Sequence, residues 1–421
     1  MFVTLKDKII KYNLFIIFIV LWSVWLNTQI DKTIFIDNEL FKHSLDQISL
    51  FSFLKNRYLI WSGRFFIEGV MVETIGRPYF WEWFIPFCAV LAAYAIWSAT
   101  LRKSLSFSFG IPLVLMLMLL VPHGAFEQSV YWLTGFYVYL FPVSFAFFSV
   151  SVFIRQKKTS PIVRLFSLMA LPVACSVEQS ALFLLLCTGL YWFINRVNSV
   201  YCRLYFLVAG VISGVVFIAP GNKRRYFAEI EHWFPEFSQF SLGQKLSFAL
   251  DRIHDEWGNQ NNFILLLALV LTVITLNGLK RNRTLQDVLA TGFCVLSAVL
   301  VVSHFVNLGS VFTILRAERF LVDLNWVYLN SYMALFIMLA TIASLLWCAL
   351  SIKDSIVAFT ALLAGVLITL LMGFSPTVYV SSNRILFLMD MTLVIYACCL
   401  LQNIMLRVRD RFLLNAKTQI H

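Results

Sequence analysis

Runs of about 20 apolar residues recur from Leu14 to Leu401, and no other feature of this chain limits its fold so severely. A helix needs about 20 such residues to cross about 30 Å of hydrocarbon. The composition agrees, since 60% hydrophobic, 16% aromatic and 13% charged residues cannot be folded into a soluble globule with a polar skin. Little chain is left for a soluble domain, and residues 1–421 read as one integral membrane domain. Lys6, Lys8 and Lys11 precede the first run as in a signal peptide, but residues Trp25 to Ile30 offer no small-residue cleavage site. That run reads as a retained anchor.

The hydropathy pattern predicts an all-α polytopic membrane protein of about 12 transmembrane helices, some short or broken, with interfacial helices in its outward loops. The expected spans lie near 12–29, 83–100, 107–122, 130–154, 162–176, 180–194, 204–219, 263–279, 288–306, 327–349, 355–373 and 385–403. An even number places both termini on one side. On this placement, loops 1–11, 101–106, 155–164, 195–203, 280–287 and 353–354, with the tail after 403, hold nineteen Lys/Arg. Their only acids are Asp7, Asp287, Asp354 and Asp410, which leaves fourteen basic and eighteen acidic residues elsewhere. The basic side is therefore cytoplasmic, and both termini with it. The same bias accounts for a net charge of +11 without nucleic acid, because RQKK at 155–158 and KRNR at 280–283 sit between spans, where anionic headgroups are the natural partner. The lipid bilayer is the expected partner and nucleic acid is not. Eight cysteines lie in or beside apolar segments with no CxxC pair, so no disulfide frame or metal site is implied.

Three outward loops are long enough to fold, the third split between about 307–326, with Arg316 and Arg319, and 374–384, with Arg384. The first, about 30–82, carries Asp37 and Glu39 in IDNELF, and an extended backbone there would point both acids the same way. They are the candidate catalytic bases, although solvated acids balancing Lys32 and Lys42 would look the same. Its apolar residues around 45–54 suit an interfacial helix. The second loop, about 220–262, opens on PGNKRRYFAEIEHWF and continues through QKLSFALDRIHDEW, where Leu246, Leu250 and Ile253 recur at helical spacing with charges opposite. Two shorter turns repeat a tripeptide, Glu127-Gln128-Ser129 and Glu178-Gln179-Ser180. A carboxylate within hydrocarbon is costly, so both glutamates belong in a hydrated cavity reached by broken helices, or else pair with arginines to hold the bundle.

Sugar transfer would need a carboxylate to take a proton from an acceptor hydroxyl and cations to hold a departing phosphate. Arginine's planar fork matches phosphate oxygens, and Arg64, Arg225, Arg316, Arg319 and Arg384 all fall at outward membrane edges. Some would instead snorkel to headgroups. Trp132 and Tyr139, in VYWLTGFYVYLFP beside Gln128, are candidates for stacking on a sugar, because Thr134-Gly135 and Pro142 mark an interrupted helix. Trp81 and Trp83 fit an interfacial belt. Mg²⁺ or Mn²⁺ is a conceivable cofactor, but acids at 31, 37, 39 and 46 define no ligand set.

The segments WSGRFF (61–66), FEQSVYWLTGFYVYLFP (126–142), CSVEQSALFLL (175–185), APGNKRR (219–225) and SPTVYVSSNR (375–384) resemble, in order, those of phage-type O-antigen glucosyltransferases that convert serotype. The resemblance implies a GT-C-like fold in the bacterial inner membrane, with a sugar on undecaprenyl phosphate as donor and a lipid-linked or growing O-antigen chain as periplasmic acceptor. It makes Asp37 or Glu39 the acid of the first loop, and Arg64, Glu127, Trp132, Glu178, Asn222, Arg225 and Arg384 the cavity lining. Where many GT-C proteins carry adjacent acids, this chain has Asp37-Asn38-Glu39, so either is the base. An O-antigen polymerase is the nearest rival. A lipid-linked sugar flippase ranks third, because Asp390 is almost the only mid-span charge.

Overall fold

The computed structural model describes residues 5–31, 36–259, 261–278, 283–306, 329–352 and 355–418. Their regular structure is helical, with one isolated parallel bridge between Asp31 and Trp132. Among the described residues, seven helices are long and apolar enough to cross a membrane: Lys11–Gln29, Pro78–Ala99, Leu133–Ile154, Val200–Phe217, Leu285–Ser303, Tyr332–Ser351 and Ser382–Arg411. Two bent pairs raise the number to nine, Phe107–Met118 with His123–Tyr131 at 106° and Leu242–Gly258 with Phe263–Gly278 at 83°. The expected count of twelve therefore includes segments that are helical but too short or too polar at their ends to qualify alone. Pro161–Ala174 has 14 residues, about 21 Å at 1.5 Å per residue. Glu178–Asn195 reaches 18 residues only by including Glu178, Gln179 and Asn195.

The chain divides into two compact units. The first comprises 1–116 and 124–238, the second 117–123 and 239–421. In the first, Pro78–Ala99 packs along Leu140–Ile154 through a stripe of small buried residues, Ala89, Ala92, Ala93 and Ala95. Small side chains let helix backbones approach closely where lipid supplies no hydrophobic drive. Phe84, Phe136 and Phe141 close the interface with ring centroids 4.8–6.2 Å apart. Below this core, Gln156 is buried and joins two loops, donating to the Phe153 carbonyl at 3.1 Å and accepting from Ser199 Oγ at 2.7 Å.

In the second unit, polar side chains pair across helices. Tyr396 and Thr272 share a hydrogen bond of 2.7 Å, Ser297 and Thr341 one of 2.6 Å, and Trp347 donates to Asp287 at 3.0 Å. The helix Leu242–Asn259 is amphipathic as expected, but its inward stripe differs. Phe248, Ala249, Arg252, Ile253, Glu256 and Trp257 are buried, while Leu246 is exposed and Leu250 half-buried. Arg252 is paired where it faces inward, donating to Asp255 at 3.0 Å and to Asn383 at 2.7 Å. The helix meets the apolar Phe263–Gly278 at a bend of 83°.

Candidate functional site

The first outward loop folds as short helices. Leu50–Asn56 runs into a π-turn, Arg57–Trp61, which ends at the extended Ser62 before the helix Phe65–Thr74. The opening of the second loop is the helix Pro220–Trp233, with Pro220 at its first turn, where a preset φ and a missing N–H cost nothing. These two segments meet backbone to backbone. A Cβ on Gly63 would lie 2.1 Å from the Val216 carbonyl oxygen, and one on Gly221 would lie 2.5 Å from Trp61 N. Asn222 bridges the contact, its Oδ1 accepting from Gly63 N at 3.0 Å and its Nδ2 donating to the Val216 carbonyl at 2.7 Å. The glycines of WSGR and APGN are thus explained by a shared seam.

From that seam two arginines converge on one carboxylate. Gly221, Arg225 and Glu229 recur every four residues, so they lie on one helix face. Glu178 begins the helix Glu178–Asn195, where the positive end of the macrodipole favours it. Arg64 donates through Nε and Nη2 to Glu178 Oε2 at 2.8 and 2.7 Å. Arg225 approaches more loosely, 3.7 Å from Glu178 Oε1 and 3.7 Å from Glu229 Oε1. These side chains keep between 19% and 25% of their surface, enough to meet a ligand. Burial pushes the Glu229 carboxyl above its ordinary range, with Arg225 and Arg64 opposing. Burial and then the like charge of Arg64 hold Arg225 below its usual value. Two guanidinium groups thus stand against one strong and one weak acid, and Arg225 is the cation less well matched. Tyr139 also lies within electrostatic reach of Arg64.

A second ion pair supports the first. Arg57 grips Glu68 with two bonds, 2.7 and 2.8 Å, while Ser62 Oγ donates to Glu68 at 3.1 Å and accepts from Arg64 N at 3.1 Å. The Arg57 guanidinium also stacks over Phe41 and Trp61, at 5.6 and 5.8 Å.

The structure corrects the reading of IDNELF. Residues Ile36–Lys42 are a helix, so Asp37 and Glu39 point about 200° apart rather than together. Asn38 between them is the buried anchor, accepting from Thr134 Oγ1 at 2.8 Å and Thr134 N at 3.3 Å. Glu39 is engaged by Lys42 at 3.4 Å and His43 at 3.3 Å. Asp37 is exposed and forms no ion pair with a described residue. The helix interruption expected at Thr134-Gly135 falls at Trp132, extended after the π-turn Glu127–Tyr131. Gly135 permits it, since a Cβ there would meet the Gln128 carbonyl oxygen at 1.9 Å. Gln128 and Trp132 are half-buried, whereas Glu127 is exposed and so lies in a different setting from Glu178. Arg384 is half-buried in the turn Ser382–Leu386 of the second unit. Arg316 and Arg319 lie outside the described residues.

Sequence reasoning passed over Arg57, Glu68 and Glu229, although the four-residue spacing from Gly221 was there to mark the last. It also passed over Asp251, which accepts from Tyr379 at 2.9 Å and whose carboxyl burial pushes up to about 6. Among the described residues no three His, Cys, Asp or Glu side chains converge as a divalent cation would need. Protein-family models, curated proteins and solved structures yield no match to this chain.

Proposed function

We propose that this chain is a membrane glycosyltransferase that moves one sugar, glucosyl by the resemblance, from undecaprenyl phosphate to O-antigen or a related glycan on the periplasmic face. The observation that carries the reading is the meeting of Arg64 and Arg225 at Glu178, partly open to solvent. A phosphate oxygen offers Arg225 a bond shorter than its present contacts of 3.7 Å. On this reading the enzyme is a GT-C-like protein of the bacterial inner membrane with both termini cytoplasmic, and its shorter apolar helices complete twelve crossings.

The reaction is an inverting displacement. Asp37 takes the proton of the acceptor hydroxyl, whose oxygen bonds to the anomeric carbon as the bond from that carbon to the phosphate oxygen breaks. The phosphate leaves with the electron pair, and Arg64 and Arg225 stabilise its charge. Exposed Asp37 suits this role better than Glu39, which Lys42 and His43 occupy. Comparing the surface glycan of cells with and without the chain tests the reading. Loss of one side-branch sugar with unchanged chain length is expected. Loss of long chains would replace it with the polymerase reading, and lipid-linked sugar crossing the membrane without transfer would replace it with transport.

A further inference from the structure

The basic loops 101–106 and 155–164 frame a cavity of about 330 Å³ that the transfer reaction does not use. It sits at the ends of Pro78–Ala99 and Leu133–Ile154, two stretches of 22 residues long and apolar enough to cross a membrane. Three cations line it, Arg102, Arg155 and Lys158, and no carboxylate is among its described lining residues. Two helix C-termini, at Ala99 and Ile154, and two N-termini, at Phe107 and Pro161, meet there, so their dipoles largely offset one another. The side chains therefore set the sign of the site.

The walls are held firmly. Arg155 donates to the Ser98 hydroxyl, and Trp97 Nε1 donates to the Leu105 carbonyl at 3.0 Å. Arg102 and Lys158, by contrast, are exposed and form no ion pair with a described residue. The remaining lining mixes hydroxyls, Ser98, Ser151, Thr159 and Ser160, with apolar side chains such as Ile111 and Val163, and Phe109, Ile162 and Phe166 nearby are exposed. A cationic mouth beside exposed apolar side chains matches an amphiphile with an anionic head.

We propose that this cavity binds the phosphate headgroup of an anionic phospholipid, with the acyl chains lying on the adjoining apolar surface. The test uses the full chain in mixed micelles, with fluorescent phosphatidylglycerol, phosphatidylcholine of the same chains, and free glycerol phosphate as competitor. Phosphatidylglycerol is expected to bind at least tenfold more tightly than phosphatidylcholine. The variant R102Q/K158Q is expected to lose about 25-fold, taking about fivefold per cation, and R102K/K158R to retain binding. Both positions are exposed, so folding is preserved. R409Q/R411Q removes the same charge from other exposed residues and is expected to leave binding unchanged. Equal binding of the two lipids, an equal loss in R409Q/R411Q, or competition by glycerol phosphate at the lipid's own affinity would each overturn the proposal.

Discussion

Replacing Gly63 or Gly221 with alanine tests whether the two loop motifs are one seam. The added Cβ at 63 lands 2.1 Å from the Val216 carbonyl oxygen, and relief to an ordinary C···O contact of about 3.3 Å requires a shift of about 1.2 Å. At 221 the offending atom is Trp61 N, at 2.5 Å. Both obstacles are backbone, which cannot rotate away as a side chain would. Overpacking of this kind costs about 1–3 kcal/mol, and the Gly63 clash belongs at the top of that range. A loss of about 3 kcal/mol lowers the folded-to-unfolded ratio about 150-fold. Because either displacement opens the same gap, the double variant is expected to cost about as much as G63A alone, well short of the sum. Gly210→Ala serves as the control, since its Cβ meets nothing within 4 Å and alanine favours the helix by up to about 1 kcal/mol. Unfolding of the purified chain in detergent, followed against rising SDS fraction, reads the parent and all four variants. Single variants within about 0.5 kcal/mol of the parent, or strictly additive costs, would refute the shared seam.

Glu68→Gln leaves the Arg57 guanidinium unpaired in a setting where Glu68 keeps only 6% of its side-chain surface, and is expected to cost about 3 kcal/mol in the same assay. Glu73→Gln, at the exposed pair with Arg77, is expected to cost under about 0.5 kcal/mol; equal costs would discount the burial argument. The raised carboxyl of Asp251 makes the folded state the stronger proton binder. Its contribution to stability is full below the ordinary carboxylate pKa and lost as pH rises through about 6. Melting curves from pH 4 to 7.5 are expected to show that decline, and Asp251→Asn to make it shallower, with the raised Glu229 still contributing. Asp37→Asn is expected to lower sugar transfer by at least about 100-fold and Glu39→Gln by no more than a few-fold. The reverse order in a membrane transfer assay would reassign the base.

The helical, membrane-spanning class was legible because long apolar runs admit few other solutions. The count was less so, since hydropathy does not register where a helix such as Pro161–Ala174 stops short or where Phe107–Met118 turns through 106° into its successor. Arg64, Glu178 and Arg225 were legible as residue types at outward edges, and the structure brings them together. What stayed hidden was local conformation and long-range pairing. The side-chain direction of Asp37 against Glu39 depends on whether IDNELF is extended or helical, and the buried bond from Asn38 to Thr134 that fixes the helix joins positions far apart in sequence. Arg57 and Glu68 looked like ordinary loop charges because burial, rather than identity, makes them partners. The inward stripe of Leu242–Asn259 was misread for a similar reason: apolar spacing favoured Leu246 and Leu250, while Asn383, which accepts from Arg252, comes from beyond residue 380.

The most direct test reconstitutes the purified chain in liposomes with radiolabelled glucosyl phosphoundecaprenol and an O-antigen acceptor, and follows sugar transfer for the parent and for Arg225→Gln. The parent is expected to add single glucosyl units, and the variant to fold normally while losing about 100-fold or more, as removal of one donor to a departing phosphate implies. A folded parent that transfers no sugar, or a variant as active as the parent, would contradict the assignment.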